Sequence, residues 1–121
     1  MTPADVAALA LDLPEATEHE PSPHMQLYKV GGKIFAILTP ATGTRRDQVT
    51  LKCEPDLALH LRAQYPAAVQ PSYYGRLRHG NTVILDGTVP AEELTEMVHH
   101  SWGCVVAALP RAARDRLRTL N

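Results

Sequence analysis

Patterns that mark redox centres, metal sites and membrane anchors are scarce in this sequence. Its two cysteines, Cys53 and Cys104, stand apart without a CxxC pair, and isolated thiols among apolar residues are typical of reduced core positions. No segment approaches the roughly 20 consecutive apolar residues that a membrane-spanning helix needs. The first residues show neither the basic start nor the long apolar run of a secretory signal. We therefore expect a soluble, cytoplasmic protein with no membrane partner.

Recognised catalytic and cofactor-binding motifs are also missing. The sequence has no GxSxG nucleophile elbow and no HExxH zinc motif. Its glycines do not follow the GxxxxGK(S/T) or GxGxxG spacing that directs backbone amides at a phosphate. Acids and histidines over residues 18–24 offer metal ligands, but neighbouring residues on an extended loop point in different directions. We therefore predict a non-enzymatic protein with no catalytic residue, no cofactor and no metal site.

The overall charge gives no general attraction to nucleic acid, because 12 basic residues against 13 acidic residues leave a net charge of -1. The charges are nevertheless segregated along the chain. Residues 1–20 hold five acids and no lysine or arginine, whereas residues 29–52 hold five basic residues against Asp47 alone. Any binding to DNA would therefore depend on a local basic patch.

The helical pattern is strong. A capping-box pattern at Thr2 and Asp5 precedes apolar residues at helical spacing. Prolines mark the other boundaries, since proline favours the first turn of a helix and interrupts its interior. Helices are predicted from Pro3 to Asp12, from about Pro55 to Tyr65, from Pro90 to Leu109, and after Pro110.

The strand pattern predicts five strands: His24 to Val30, Lys33 to Thr39, Gln48 to Cys53, Ser72 to Arg78, and Thr82 to Asp86. The pair Gly31-Gly32 suits a two-residue hairpin turn, because both glycines tolerate positive φ. The segment from Glu15 to Pro23 is rich in proline and acids and is predicted to be a loop.

Two features complete the predicted sheet. His79, Gly80 and Asn81 suit the turn of a second hairpin, since Gly and Asn tolerate left-handed backbone. Apolar and polar residues alternate from Gln48 to Cys53, which predicts one solvated sheet face.

The 121 residues fit one domain, 1–121, of α+β class. We predict a two-layer sandwich in the order α-β-β-β-α-β-β-α-α, with an antiparallel five-stranded sheet and the helices packed on one face.

Basic residues occur in both predicted loops between paired strands. Arg45 and Arg46 lie in the first loop. Arg76, Arg78, His79 and Asn81 lie at or near the second loop. Paired in this way, the loops could meet one duplex, with arginine contacting phosphates and asparagine reaching a base edge. Loops are also commonly basic for solubility alone.

Several segments together resemble the MmcQ/YjbR family over nearly the whole chain. They are Leu13 to Glu18, Lys29 to Ala36, Leu51 to Cys53, Asn81 to Val83, Asp86-Gly87 and Ser101-Trp102. The resemblance implies a small bacterial domain with a fold like that of frataxin and of type III secretion chaperones. It also implies DNA binding through a double-wing motif, and it makes Lys33 and Lys52 recurrent family lysines.

One position departs from the family pattern. The family usually has His-Trp-Asn where this chain has His79-Gly80-Asn81. The aromatic residue is lost, and a glycine there is expected to loosen the tip of the second hairpin.

Two functional hypotheses follow. The first is a DNA-binding domain that contacts mainly phosphates, through Arg45, Arg46, Lys52, Arg76, Arg78, His79 and Asn81. The alternative is a protein-binding or chaperone-like adaptor with no nucleic-acid role. Iron handling by analogy with frataxins would need an acidic first helix, and this one carries only Asp5 and Asp12. The sequence indicates no cofactor, no particular protein partner and no oligomeric state.

Overall fold

The computed structural model describes residues 1–72, 74–77 and 79–120, and it describes the backbone but not the side chain of Arg76. Over these residues the fold is α+β, as predicted. The helices are α1 (Pro3–Leu11), α2 (Pro55–Gln64), α3 (Ala91–Ala107) and α4 (Arg111–Leu120). The strands are β1 (Thr17–Ser22), β2 (Met25–Val30), β3 (Lys33–Thr39), β4 (Gln48–Leu51), β5 (Val69–Pro71) and β6 (Asn81–Ile84), and a short 3₁₀ helix, η1, spans Gly75–Leu77.

The strands form one open sheet in the order β1-β2-β3-β4-β6-β5, with every neighbouring pair antiparallel. The strand count is therefore six instead of the five that the sequence predicted. The hairpin between β2 and β3 is confirmed, and Gly31 and Gly32 take φ values of 58° and 77°. These left-handed values explain why glycine occupies both turn positions.

The helix predictions are confirmed. Thr2 caps α1, and its side chain and that of Asp5 form both hydrogen bonds of the capping box. A proline precedes or opens α2 and α3, and Pro110 separates α3 from α4. None of these helices has the length and apolar character required to cross a bilayer, over the residues described.

The helices cover one face of the sheet and form the core there. Leu38, Val49, Val83 and Val69 are aligned across four strands on this face. All four side chains are buried in the same apolar cluster as Val98, Trp102 and Val105 of α3. The predicted two-layer arrangement is thus confirmed, with α3 as the main core helix.

The opposite face is less solvated than the alternation in β4 suggested. Ile37, Thr50 and Thr82 are aligned across three strands on this face and are no more than 3% exposed. The hydroxyls of Thr50 and Thr82 lie 2.9 Å apart and form a buried hydrogen bond. The helix η1 contacts β3 and carries Leu77, which is 1% exposed. The centre of this face is therefore buried, and the prediction of a solvated second face is wrong there.

The loop prediction for Glu15 to Pro23 is also wrong, because Thr17–Ser22 forms the edge strand β1. Thr17 to Glu20 and Pro21 are exposed, so the strand has no alternation of buried and solvated residues. Its conformation comes from pairing with β2, in which Thr17 lies opposite Lys29 and Ser22 opposite Met25. Pairing of this kind leaves no pattern in the strand's own sequence.

The second hairpin differs from its prediction as well. The strand before β6 is Val69–Pro71, and the described part of the predicted strand Ser72 to Arg78 contains the 3₁₀ helix instead. Residues 72–80 are therefore a long connection between β5 and β6, not a strand with a tight turn. Arg78 lies outside the described residues.

Candidate functional site

A groove of about 380 Å³ lies between α2 and α3, above the end of β4 and the start of β6. Each helix contributes residues at positions i, i+3, i+4 and i+7, which lie on one helical face. From α2 these are Leu57, His60, Leu61 and Gln64, and from α3 they are Glu93, Glu96, Met97 and His100. Leu51, Lys52, Cys53, Asn81 and Val83 line the groove from the sheet side. The groove thus has an apolar floor and a rim of charged and polar side chains.

Hydrogen bonds join the two helices at both ends of the groove. At one end the backbone N–H of Glu54 donates to Nε2 of His100 over 3.2 Å. At the other end the hydroxyl of Tyr65 donates to the carboxylate of Glu93. The helices are therefore antiparallel, and the groove between these bridges spans seven residues of α3, or about 10 Å.

The Nε2 atom of His100 is used within the protein, because it accepts the hydrogen bond from the Glu54 N–H. The thiol of Cys104 lies 3.4 Å from the same nitrogen. This histidine is therefore a structural acceptor at the end of the groove.

Neither cysteine is poised as a nucleophile. Burial raises the pKa of the Cys53 thiol to about 11. Burial likewise raises the pKa of Cys104, although the charge of Lys52 acts in the opposite direction. Both thiols are protonated at neutral pH, so the attacking thiolate is not available. Both cysteines are free, as expected, but only Cys53 is a buried core residue, whereas Cys104 is partly buried.

The groove has opposite charges at its two ends. Lys52 lies at the end near His100, because its backbone N–H donates to the Oγ of Ser101 over 2.8 Å. That hydroxyl donates in turn to the carbonyl of Phe35, which fixes α3 on the sheet. Glu93 and Glu96 lie towards the other end, on successive turns of α3. The hydrogen bond to Glu93 raises the pKa of Tyr65, so the phenol stays protonated as the donor.

Asn81 also lines the groove, but its amide group is used within the protein. Its Oδ1 accepts from Nε of Arg62 over 2.7 Å, and its Nδ2 donates to the carbonyl of Ala58 over 3.2 Å. The residue is 3% exposed and is the first residue of β6, so it does not lie in a turn as predicted. A contact between this amide and a DNA base would have to break these hydrogen bonds.

Gly80 has a role opposite to the one expected. It is buried, and a Cβ atom at this position would overlap the carbonyl group of Leu51. Its N–H donates to the carbonyl of Leu77 over 2.8 Å. The expectation of a loosened hairpin tip is therefore wrong, since the glycine allows close packing of two backbone segments.

The remaining predicted residues lie elsewhere. Arg45 and Arg46 are exposed in the loop between β3 and β4, and Nη1 of Arg46 lies 3.1 Å from Oδ2 of Asp86. His79 is exposed in the connection between β5 and β6. The side chain of Arg76 and the whole of Arg78 fall outside the described residues.

The sheet register separates the two loops that were predicted to act as a pair. The β3–β4 loop ends at Gln48, which pairs with Ile84, whereas the β5–β6 connection ends at Asn81, which pairs with Leu51. In an antiparallel sheet these positions are opposite ends of the central strands. The two loops therefore join the central strands at opposite ends, so the adjacent hairpins from which the pairing of the loops was predicted are not present.

Sequence reasoning identified Lys52 and Asn81 but not the groove that they line. The relevant pattern was present, because polar residues follow the apolar ones at helical spacing on the facing sides of α2 and α3. A sequence does not specify, however, that these two faces lie opposite each other without packing together. Metal binding at the acids and histidines of residues 18–24 gains no support, since the described residues contain no group of three or more suitable ligands.

The chain is thus an α+β domain, in which an open antiparallel sheet carries a helical layer and a groove lies at the strand ends. The sequence model of the YjbR family matches residues 11–104. YjbR of Escherichia coli strain K12 is 35% identical over 89 residues, covering 74% of this chain and 73% of that protein. The chain therefore belongs to the YjbR family, which confirms the resemblance.

Other relatives match a larger share of the chain. YbdF of Escherichia coli O157:H7 is 29% identical over 111 residues, which cover 91% of this chain and 88% of that protein. A crystal structure of a Deinococcus radiodurans protein with a DUF419 domain superposes with a TM-score of 0.83 and 29% identity, covering 96% and 90% of the two chains. A Pseudomonas syringae protein shares the fold, with a TM-score of 0.69 and 23% identity over 84% of this chain and 96% of that chain. The Escherichia coli proteins are named as uncharacterised, so their names assign no activity.

Proposed function

We propose that this YjbR-family chain is a non-enzymatic binding domain whose groove takes up a small molecule with an apolar body and an opposite charge at each end. The observation that carries the proposal is the groove between α2 and α3, with Lys52 near one end and Glu93 and Glu96 towards the other. A groove of about 380 Å³ is within the usual size of small-molecule sites.

The bridged ends favour a compact ligand over an extended chain. A peptide that ran through the groove would meet the hydrogen bonds of Glu54 with His100 and of Tyr65 with Glu93. A ligand of about 10 Å fits between them. Burial of one aromatic ring, about 150 Å², supplies roughly 4 kcal/mol before the cost of binding is subtracted. Because a millimolar dissociation constant needs about 4 kcal/mol after that cost, we expect simple probes to bind no more tightly than about millimolar.

We propose binding instead of catalysis because two groups that line the groove, Cys53 and His100, are not available as nucleophile and base. Cys53 is protonated because burial raises its pKa to about 11. The Nε2 of His100 is occupied by a backbone N–H, so it does not serve as a base without breaking that hydrogen bond.

Three probes that share a phenyl ring test the charge pattern. Phenethylamine carries only a cation, 3-phenylpropanoate carries only an anion, and free phenylalanine carries both. Two-dimensional ¹⁵N–¹H NMR titrations of the full chain would measure each affinity. We expect Glu96→Gln to weaken phenethylamine but not 3-phenylpropanoate, and Lys52→Gln to do the reverse.

A matched pair of substitutions tests whether the groove is the site. Leu57 lines the groove, whereas Leu59 on the same helix is 59% exposed. Leu57→Trp should fill the groove and abolish binding of all three probes, while Leu59→Trp should leave binding unchanged. Equal effects of the two variants, or probe-induced shifts spread over the whole surface, would contradict the proposal. A folded protein that binds no probe would instead favour the protein-binding adaptor.

DNA binding is a second candidate, favoured by the exposed arginines of the β3–β4 loop. Arg46 forms an ion pair with Asp86, but 72% of its side chain is exposed. No carboxylate among the described residues lies within ion-pair distance of Arg45. This single loop would contact phosphates and would depend strongly on salt.

Fluorescence anisotropy with labelled duplex and single-stranded DNA tests this candidate over a series of salt concentrations. Arg45→Ala/Arg46→Ala should weaken binding. It should also reduce the slope of log affinity against log salt concentration by the amount expected for about two phosphate contacts. Arg111→Ala/Arg118→Ala, which removes the same charge from α4, is the control. No binding by the folded wild-type chain at low salt, or equal weakening by both double variants, would argue against a DNA site at this loop.

A further inference from the structure

A second hollow, of about 550 Å³, lies beside the groove at the other end of α3. Its walls are the β2–β3 turn, the end of β4 and the last turn of α3. The residues that line it are Gly32, Lys33, Ile34, Lys52, Val105 and Ala108. It therefore shares Lys52 with the groove but none of the groove's acidic residues.

Two lysines line the hollow from neighbouring strands. Ala36 of β3 pairs with Leu51 of β4 in antiparallel orientation. Lys52 follows Leu51 directly, and Lys33 is the first residue of β3. These are two of the three lysines in the chain. Neither residue forms an ion pair within the described part of the chain.

The charges of the hollow do not balance. No carboxylate lines it, and Glu54, which lies near Cys104 together with Lys52, is not part of its wall. The C-terminal end of α3 contributes roughly half a negative charge through its free carbonyl groups. Two ammonium groups against this partial charge leave about +1.5 elementary charges, which suits a dianion.

The turn at the edge of the hollow is open to close approach. Gly32 has no side chain, and a Cβ built there would have no heavy atom within 4 Å. A ligand can therefore approach the backbone of the turn without displacing protein atoms. The apolar walls supplied by Val105 and Ala108 limit water around the charges on the other side.

We propose that Lys33 and Lys52 bind a phosphate group in this hollow. The group belongs either to a small phosphorylated molecule or to a nucleic-acid backbone. The hollow and the groove proposed above share Lys52, but Lys33 lines only the hollow and Leu57 lines only the groove.

Pyrophosphate is the first probe, titrated into the full chain at constant ionic strength and followed by ¹⁵N–¹H NMR. We expect shifts centred on the amides of Gly32, Ile34 and Lys52. Lys33→Gln and Lys52→Gln should each weaken binding about tenfold, the effect of losing one charge-assisted hydrogen bond. Lys29→Gln removes the same charge from β2, outside the hollow, and should change affinity less than about twofold.

Two results would overturn the proposal. One is equal weakening by the three lysine variants, which would mean that only net charge matters. The other is the lack of localised shifts with pyrophosphate in the folded wild-type chain. The groove is monitored separately, because Leu57→Trp should abolish binding of the phenyl probes and leave pyrophosphate binding intact.

A second arm identifies the source of the phosphate. Short duplex DNA is titrated under the same conditions, and pyrophosphate is then added as a competitor. Shifts of the same three amides that pyrophosphate reverses would support a nucleic-acid backbone as ligand. Shifts with pyrophosphate alone would support a small phosphorylated molecule.

Discussion

Gly80 and Asn81 together fix the start of β6. The backbone of Gly80 packs against the carbonyl of Leu51 and accepts a hydrogen bond from the N–H of Ser72 over 3.1 Å. The side chain of Asn81 joins the strand to α2 through Arg62. The first residue permits close approach because it has no side chain, and the second satisfies polar groups that the approach buries.

Substitution of Gly80 should therefore be costly although its φ is not left-handed. We expect Gly80→Ala to lower the free energy of unfolding by about 1–3 kcal/mol, because the new Cβ forces the backbone of Leu51 away. Gly103→Ala is the control, since a Cβ there would meet no atom within 4 Å and should stabilise α3 by up to about 1 kcal/mol. Urea unfolding measures both. Equal stability of the two variants would contradict the close packing.

Glu15 combines a strained backbone with an ion pair. Its φ is 55°, and its carboxylate accepts two hydrogen bonds from Arg116, of 3.0 and 2.9 Å. Glu15→Ala should lose only the exposed ion pair, about 0.2–1 kcal/mol. Glu15→Gly loses the same pair but relieves the left-handed strain, so it should be about 1 kcal/mol more stable than the alanine variant. Thermal unfolding of the two variants gives the comparison, and a more stable alanine variant would exclude the strain.

Cys53 should make stability depend on pH in the alkaline range. Burial raises its pKa from 9.0 to about 11 in the folded chain. The unfolded chain therefore releases the thiol proton first, so stability is fully present below about pH 9 and is lost as the pH rises towards 11. Cys53→Ala should remove this part of the decline. Urea unfolding of both proteins near pH 8 and near pH 10.5 measures it, and parallel declines would show that Cys53 does not contribute.

At the scale of elements, the sequence predicted helices better than strands. Prolines and the cap at Thr2 mark the helix ends directly, and the apolar stripe of α3 faces the core as expected. The strand β1 was missed because its conformation depends on its partner β2, not on its own exposed residues. The segment after β5 was mistaken for a strand because nothing in its composition indicates that it crosses the sheet face.

A substitution in η1 tests whether this segment covers the sheet face. Leu77 is 1% exposed and, like Ile37, is buried outside the apolar cluster that packs against the helices. Leu77→Ala should lower the free energy of unfolding by about 2–5 kcal/mol, as expected for a buried leucine. Leu59→Ala, at a position that is 59% exposed, should change it by less than about 0.5 kcal/mol. Similar small effects in chemical denaturation would mean that η1 does not cover the sheet.

The candidate site was predictable only in part. The sequence identified Lys52 and Asn81 as polar residues of interest, and both line the groove. It did not reveal that the side-chain amide of Asn81 forms hydrogen bonds with Arg62 and Ala58, because these partners lie about 20 residues away in the chain. Hydrogen bonds between distant residues follow from tertiary packing, which neither periodicity nor composition specifies.

At the scale of the whole molecule, the β3–β4 loop and the proposed groove are separated by the length of the central strands. The β3–β4 loop lies at the end where Gln48 pairs with Ile84, and the groove lies at the end where Leu51 pairs with Asn81. Sites separated in this way, with no shared partners, usually behave independently.

This separation predicts additive behaviour. Arg45→Ala/Arg46→Ala should leave the affinity for the phenyl probes unchanged within about twofold. Leu57→Trp should likewise leave DNA binding unchanged if the loop is its site. Combined variants measured by NMR titration and by anisotropy provide the check. A change in probe affinity upon loss of the loop arginines would reveal coupling between the two ends.

The edge strand β1 has a further consequence for how copies of this chain behave at high concentration. An unpaired strand edge offers its backbone groups to any strand that approaches, and hydrophobic edges of this kind seed aggregates. Here the edge carries Glu18 and Glu20, ends near Pro21, and loses regular register after His19. Like charges and a missing N–H donor both oppose addition of another strand. The exposed polar composition of β1 therefore disfavours growth of the sheet at this edge.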